Sequence, residues 1–441
     1  MSSSFRLFGQ RRFLPLFWVQ FFGAANDNVF KNALIVLIIY QNLNLGSLHA
    51  DALVNLAAGL FILPFFFFSA SSGQLTDKLE KSRLIRYIKL LEVIIVLCAC
   101  VSFAIHSVTL MLLVLFLLGL QATLFGPAKY SYLPQHLQGE ELVAGNGFIE
   151  MGTFIAILIG TILGGVLIAV PQYGDYYVMI CLLVFALAGY GISYTIPVSP
   201  ANDPSLKLDW HWLRQTFQNI NRARHNRSVF YCVLGISWFW FYGAIILTQL
   251  PDYVRNAIGG AEHVFTLFLV IFSVGIGIGS VLCAKFSKPE RILALVPVGA
   301  LGMTIFGIVL VACTPSAPAS PLLGIDQFFH LPHVVIIVIC LAGISVFSGF
   351  YTVPLYTRLQ QMSEPAYRSR MIAANNIFNA LFMVIAAGFA ILLIVLHFTT
   401  VGIFFVVSLL NLCAILYLLW REPALWQHLR AFISRRSVDG V

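Results

Sequence analysis

Long apolar runs separated by short polar breaks organise the chain from one end to the other. Twelve such runs lie near residues 13–40, 51–72, 84–105, 109–128, 143–169, 176–196, 229–250, 264–284, 291–313, 333–353, 372–396 and 400–420. Each has at least 20 residues. A helix of that length, rising about 1.5 Å per residue, crosses a hydrocarbon core of about 30 Å. The pattern predicts twelve membrane-spanning helices. The first run is long enough to tilt or break at Gly23-Ala24-Ala25, and it carries Asn26, Asp27, Asn28, Lys31 and Asn32 near its middle. A charge at bilayer depth costs at least about 2.5–3.5 kcal/mol, so these side chains must face protein or a water-filled cavity. Asp27 and Lys31 are four apart on one helix face. They form either a self-neutralising ion pair or a polar patch that meets a charged substrate. We favour the patch.

Composition agrees with a polytopic membrane protein. Of 441 residues, 59% are hydrophobic and 10% charged, with a mean hydropathy of +0.89. Soluble domains carry about 25% charged residues. The net charge of +8 reflects membrane orientation rather than nucleic-acid binding. All but two of the 26 Lys and Arg residues fall on alternate connections, in the run ends that border those connections, or at the two ends of the chain, the exceptions being Lys31 and Arg255. Such asymmetry predicts that both termini are cytoplasmic, and a missed span would scramble it. No small-residue cleavage site closes the first run, so no cleavable signal peptide is expected. The eight cysteines nearly all fall inside apolar runs without Cys/His ligand spacing. No metal, cofactor or disulfide is expected.

The longest cytoplasmic connection divides the chain into an N-terminal bundle (1–200), a linker (201–227) and a C-terminal bundle (228–441), each bundle with six spans. In the linker, Leu213, Phe217 and Ile220 share a helical face, with Trp210 and Trp212 nearby and Arg214, Arg222, Arg224 and Arg227 on the polar side. That suits a helix lying in the headgroup plane. An internal repeat supports the division: Phe125-Gly-Pro127 followed by Asn146 and Glu150 recurs as Tyr351-Thr-Val-Pro354 followed by Asn375 and Asn379. Both polar pairs have a spacing of four, in spans five and eleven.

Between spans two and three the chain reads Gly73-Gln-Leu-Thr-Asp77-Lys78-Leu-Glu-Lys81-Ser-Arg83. This resembles the signature of the major facilitator superfamily, in which Gly allows close helix approach and the basic residues hold a cytoplasmic gate. Gly73, Asp77, Lys78, Lys81 and Arg83 are the gating residues the resemblance implies. Asp77 is expected at the start of span three, where a helix N-terminus favours negative charge.

Three further stretches narrow the resemblance: Gly23 to Asn32, Phe125-Gly-Pro-Ala-Lys-Tyr130, and Leu142 to Glu150. They are similar to the lysophospholipid transporter branch and to the transporter portion of bacterial fusions with a phospholipid acyltransferase. The resemblance implies inward flipping of lysophosphatidylethanolamine-like lipids across the bacterial inner membrane, to supply reacylation by a separate cytoplasmic-face acyltransferase. That branch places an Arg in span seven and a Glu in span eleven, where this chain has Thr248 or Gln249 and Asn379. The candidate translocation residues are Asn26, Asp27, Asn28, Lys31, Lys129, Tyr130, Asn146, Glu150, Asn375 and Asn379. Lys129 either attracts phosphate or is a plain positive-inside residue. Glu150 is a binding group, a proton site or a paired acid. Glu92, beside Lys89, reads as structural.

The fused relatives' acyltransferase centre is missing, since no His-x-x-x-x-Asp pair occurs. There is no phosphate-binding Gly-x-x-x-x-Gly-Lys-[Ser/Thr] loop either. The chain is not expected to be an enzyme. The alternative to lysolipid transport is a proton-coupled facilitator moving another small amphipathic solute.

Overall fold

The computed structural model describes residues 3–40, 50–286 and 292–434. All twelve expected spans are helices: α1 (Leu14–Tyr40), α2 (Ala50–Lys78), α3 (Lys81–Ala104), α4 (Val108–His136), α5 (Glu140–Ile168) and α6 (Gly174–Ser193), then α8 (Arg227–Asp252), α9 (Glu262–Phe286), α10 (Leu295–Ala312), α11 (Val334–Met362), α12 (Arg368–Val395) and α13 (Thr400–Arg421). Among the described residues there are also two shorter helices, α7 (Trp212–His225) and α14 (Pro423–Ile433), and a single helical turn at Ile325–Phe328. The interior prolines Pro64, Pro127, Pro134, Pro251 and Pro354 each remove one helical hydrogen bond, a loss that membrane helices tolerate.

Among the described residues, eleven helices are long and apolar enough to cross a membrane by composition. The twelfth expected span, α3, is not among those eleven, and it holds Lys81, Arg83, Arg86, Lys89 and Glu92. Its faces explain how it nonetheless belongs. Tyr87, Ile94, Leu97 and Val101 are exposed, whereas Lys81, Lys89, Glu92 and Ser102 are buried. Apolar side chains outside and polar ones inside is the arrangement lipid selects.

Packing divides the chain into two units. Unit 1 comprises 1–138, 152–226 and 360–380; unit 2 comprises 139–151, 227–359 and 381–441. Helices α5 and α12 each contribute to both. In unit 1 the apolar core joins Val29, Phe30, Leu34 and Leu37 of α1 to Ile95 and Phe103 of α3, Met111 and Leu115 of α4, and Val178 and Leu182 of α6. Helix α5 reaches α1 through two glycines one turn apart. A Cβ on Gly160 would collide with the Ala25 carbonyl oxygen, and one on Gly164 with that of Val29. Small residues at this spacing let helix backbones touch where lipid supplies no hydrophobic drive. In unit 2, Asn411 of α13 ties α8 and α10 together: it accepts from Trp238 Nε1 at 2.8 Å and donates to the Ala300 carbonyl at 2.9 Å.

Gly160→Val should destabilise the detergent-purified protein by about 1–3 kcal/mol, the usual cost of overpacking. Gly191→Ala, where nothing lies within 4 Å of the added methyl, should not. Thermal denaturation followed by size-exclusion recovery checks both; equal midpoints would remove the α1–α5 contact from this account.

Candidate functional site

The middle of α1 meets α3 and α4 around one carboxylate. Glu92 Oε2 accepts from Lys89 Nζ at 2.5 Å and from Gln121 Nε2 at 2.8 Å, while Oε1 accepts from Asn26 Nδ2 at 3.3 Å. Glu92, Lys89 and Asn26 are wholly buried, and Gln121 nearly so. Two glycines, Gly23 of α1 and Gly189 of α6, border the lysine slot: a Cβ at Gly23 would lie 2.6 Å from Lys89 Nζ. The ammonium also rests 5.3 Å from the centroid of Phe125. A carboxylate held by three donors from three helices, one of them its counterion, has the compensation that burial requires.

That compensation stops short of the next residue. Asn26 Oδ1 and Asp27 Oδ1 are buried and accept no hydrogen bond. Among the described residues no ion pair within 4.0 Å joins Asp27 to Lys31, although Asp27 lies within electrostatic reach of Lys31, Lys89 and Glu92. The Lys31 ammonium instead sits 5.7 Å from the Phe61 ring centroid. Asn28 donates back to the Ala24 carbonyl at 2.8 Å, and Asn32 crosses to the Thr161 carbonyl of α5 at 2.6 Å. The self-neutralising pair weighed for α1 therefore exists one helix away, as Lys89–Glu92.

The remaining expected site residues divide between the units. In unit 1, Lys129 lies 4.5 Å from the Tyr130 ring centroid, and the Tyr130 carbonyl accepts from Gln360 at 3.1 Å. Asn375 and Asn379 are buried on the first part of α12, and both amide atoms of Asn375 lack a hydrogen-bond partner. In unit 2, Asn146 donates to Thr357 Oγ1 and to the Leu142 carbonyl, each at 3.1 Å, and Glu150 is buried.

A second cluster forms where α2 ends. The helix continues through Gly73 to Lys78, so the α2–α3 turn is only Leu79 and Glu80. This corrects the expected placement of Asp77. Its carboxylate meets the start of α12, not of α3: Oδ1 accepts from the Ser369 amide at 3.2 Å and Oδ2 from Arg370 Nε at 3.0 Å. The α3 N-terminus is capped by Glu80, which accepts from the amides of Ser82 and Arg83. Burial works against ionised Glu80, but amide hydrogen bonds from Ser199, Ser82 and Arg83 outweigh it and hold its carboxyl below the ordinary range. Gly73 lets α12 come close, since a Cβ there would lie 2.9 Å from Arg370 Cα.

The segment between α6 and α7 straps this cluster together. Asn202 donates to Asp77 Oδ1 at 2.8 Å and accepts from Lys81 at 3.0 Å and Gln135 at 2.8 Å. The Asp203 amide donates to the Asp77 carbonyl at 2.8 Å. Lys78 and Arg83 stand outside the cluster: Arg83 is exposed and gives its amide to Glu80, and the half-buried Lys78 side chain makes no hydrogen bond or ion pair among the described residues. Gln121, Asn202, Ser369 and Arg370 are the members that sequence reasoning missed. A lone acid in a basic turn signals a cationic partner, but nothing in the sequence says that it comes from residue 370.

Comparison with known proteins adds three findings. The model of the Major Facilitator Superfamily matches residues 16–325. "Lysophospholipid transporter LplT" of Klebsiella pneumoniae is 27% identical over 383 residues, covering 85% of this chain and 87% of the relative. The Cronobacter sakazakii protein of the same name is 27% identical over 403 residues, covering 89% and 91%. Among solved structures, the transporter FucP in its outward conformation superposes with a TM-score of 0.66 at 14% identity, over 93% of this chain and 98% of that one. A bacterial homologue of the iron transporter ferroportin gives 0.65 at 16% identity, over 95% and 99%. These two likenesses speak for the fold alone. With a match across most of its length, twelve long helices and this architecture, the chain belongs to the Major Facilitator Superfamily.

Proposed function

We propose that this protein moves lysophospholipids inward across a bacterial inner membrane by alternating access, with both termini cytoplasmic. It would thereby supply lysolipid for reacylation by a separate acyltransferase. The observation that carries the reading is Asp27: a buried carboxylate in mid-span whose Oδ1 accepts no hydrogen bond and which forms no ion pair with Lys31. A zwitterionic ammonium–phosphate headgroup supplies both missing charges, the ammonium to Asp27 and Asn26 and the phosphate to Lys31. The relatives named as lysophospholipid transporters, matched over most of their length, support the same cargo. Where the resembling branch has an Arg in span seven, Thr248 donates to the Ile245 carbonyl of its own helix at 3.1 Å. The phosphate here falls to Lys31, with Lys129 as the second cation.

The Asp77 cluster supplies the gate. Its hydrogen bonds to the first turn of α12 must break whenever α2 and α12 part, so their strength biases the transport cycle.

Spheroplasts carrying the protein should take up labelled lysophosphatidylethanolamine, and Asp27→Asn and Lys31→Met should each lower that uptake about tenfold or more while still inserting. The size follows from the ~1.5–3 kcal/mol of a hydrogen bond to a charged group. Uptake of soluble solutes in place of lysolipid would defeat the proposal, as would variants that flip lipid normally.

Asp77→Asn should widen the spin-label distance distribution between the ends of α2 and α12. A loss of about 1.4 kcal/mol shifts the open-to-closed ratio about tenfold. An unchanged distribution would make Asp77 an ordinary buried acid at a helix end.

A further inference from the structure

Helix α7 is inside out. Its buried side chains are Gln215, Asn219 and Ala223, while Leu213 and Phe217 are 53% and 68% exposed. Trp210, just before the helix, is 66% exposed. At 100° per residue, Leu213, Phe217 and Ile220 form one stripe, with Leu213 and Phe217 turned away from the protein and Ile220 half-buried at its edge, and the buried amides face the opposite side. Arg214, Gln218, Asn221 and Arg222 occupy the exposed arc beside the stripe. A helix with this division, set in water, would present its apolar face to solvent for no return. In a headgroup layer both faces are satisfied.

Charge selects the kind of layer. From Lys207 to Arg227 the segment carries five cationic Lys and Arg residues and one acid, Asp209. Asp209 is already engaged, by the His211 amide at 3.0 Å and by Gln215 at 2.8 Å. Such a surface complements anionic phospholipid.

Both ends of α7 are also tied to the Asp77 cluster. At the start, Gln74 of α2 exchanges two hydrogen bonds with the Asp209 backbone, at 3.0 and 2.9 Å, and Trp212 packs edge-on to Phe67 at 4.7 Å. At the end, Arg222 lies 3.5 Å from the Tyr367 ring centroid, and Arg370 lies 4.1 Å from the same centroid. Arg370 is the partner of Asp77. Displacing α7 therefore strains the bond between α2 and α12 from two directions.

We propose that α7 seats in the headgroup layer of an anionic leaflet, and that this seating holds the Asp77–Arg370 contact closed, so that anionic phospholipid regulates the transporter. The inference uses the family fold and does not depend on which solute is carried.

The test uses the full chain, with its eight native cysteines replaced, in nanodiscs of phosphatidylcholine alone or mixed with phosphatidylglycerol. A spin label on Phe217→Cys should be more accessible to oxygen than to a water-soluble nickel complex. The α2–α12 distance distribution should narrow as phosphatidylglycerol rises. Arg214→Gln and Arg224→Gln should each move the closed-to-open ratio back by up to about fivefold, the factor that about 1 kcal/mol per basic residue represents. Phe217→Ser should do so without changing the charge. A label at 217 that the nickel complex reaches in both lipids would overturn the proposal. So would a label shielded from both reagents, which would report a protein-covered face, and so would a distance distribution indifferent to phosphatidylglycerol.

Discussion

A carboxylate and an ammonium can share the interior of a membrane helix bundle only if each is the other's counterion and their remaining hydrogen bonds are met. Lys89 and Glu92 satisfy that condition, with Asn26 and Gln121 completing the acceptor shell of Glu92. Much of unit 1 is arranged around them. Helix α3 turns its charged face inward, and glycines on α1 and α6 leave room for the lysine. The Asn26 carboxamide donates its NH2 to Glu92, and its Oδ1, like Oδ1 of Asp27, has no hydrogen-bond partner. Removing one member of such a pair is far costlier than replacing both, because a single buried charge has nowhere to go.

The same chemistry recurs at the end of α2 with a different consequence. Asp77 is as buried as Glu92, but its partners come from α12 and from the strap between α6 and α7. An acid whose counterion sits on its own helix, as Lys89 does for Glu92, keeps that partner whatever the other helices do. An acid satisfied by a distant segment makes a contact that motion can break. The two carboxylates thus separate a permanent support from a switchable one, although they stand only fifteen residues apart in sequence.

The spans were legible because hydrophobic length and charge asymmetry are both one-dimensional signals. Even α3, with its charged inner face, stands out as an apolar run over 84–105. The polar centre of α1 was legible for the same reason, since amides and charges stand out against an apolar run. Partner identity was not. Nothing local marks Gln121 as the ligand of Glu92, or Arg370 as that of Asp77, because those contacts span 29 and 293 positions. Asp77 was assigned to the wrong helix start for a local reason: α2 was ended near residue 72 at the polar residues, whereas buried polar partners let it run on to Lys78. On α7 the hydrophobic face was visible in the sequence, but that its amides face the protein required the structure.

The central claim is that Lys89–Glu92 supports the fold and leaves the free acceptors of α1 to the cargo. The most direct measurement is a double-mutant cycle with Lys89→Met and Glu92→Gln, scored for thermal stability in detergent and for lysophospholipid uptake. Each single change should destabilise the protein by about 3–5 kcal/mol, as expected when one partner of a buried pair is removed. The double change should recover most of the stability and most of the uptake. A double variant as stable as the parent but unable to transport would contradict the account and place the pair in the translocation path itself.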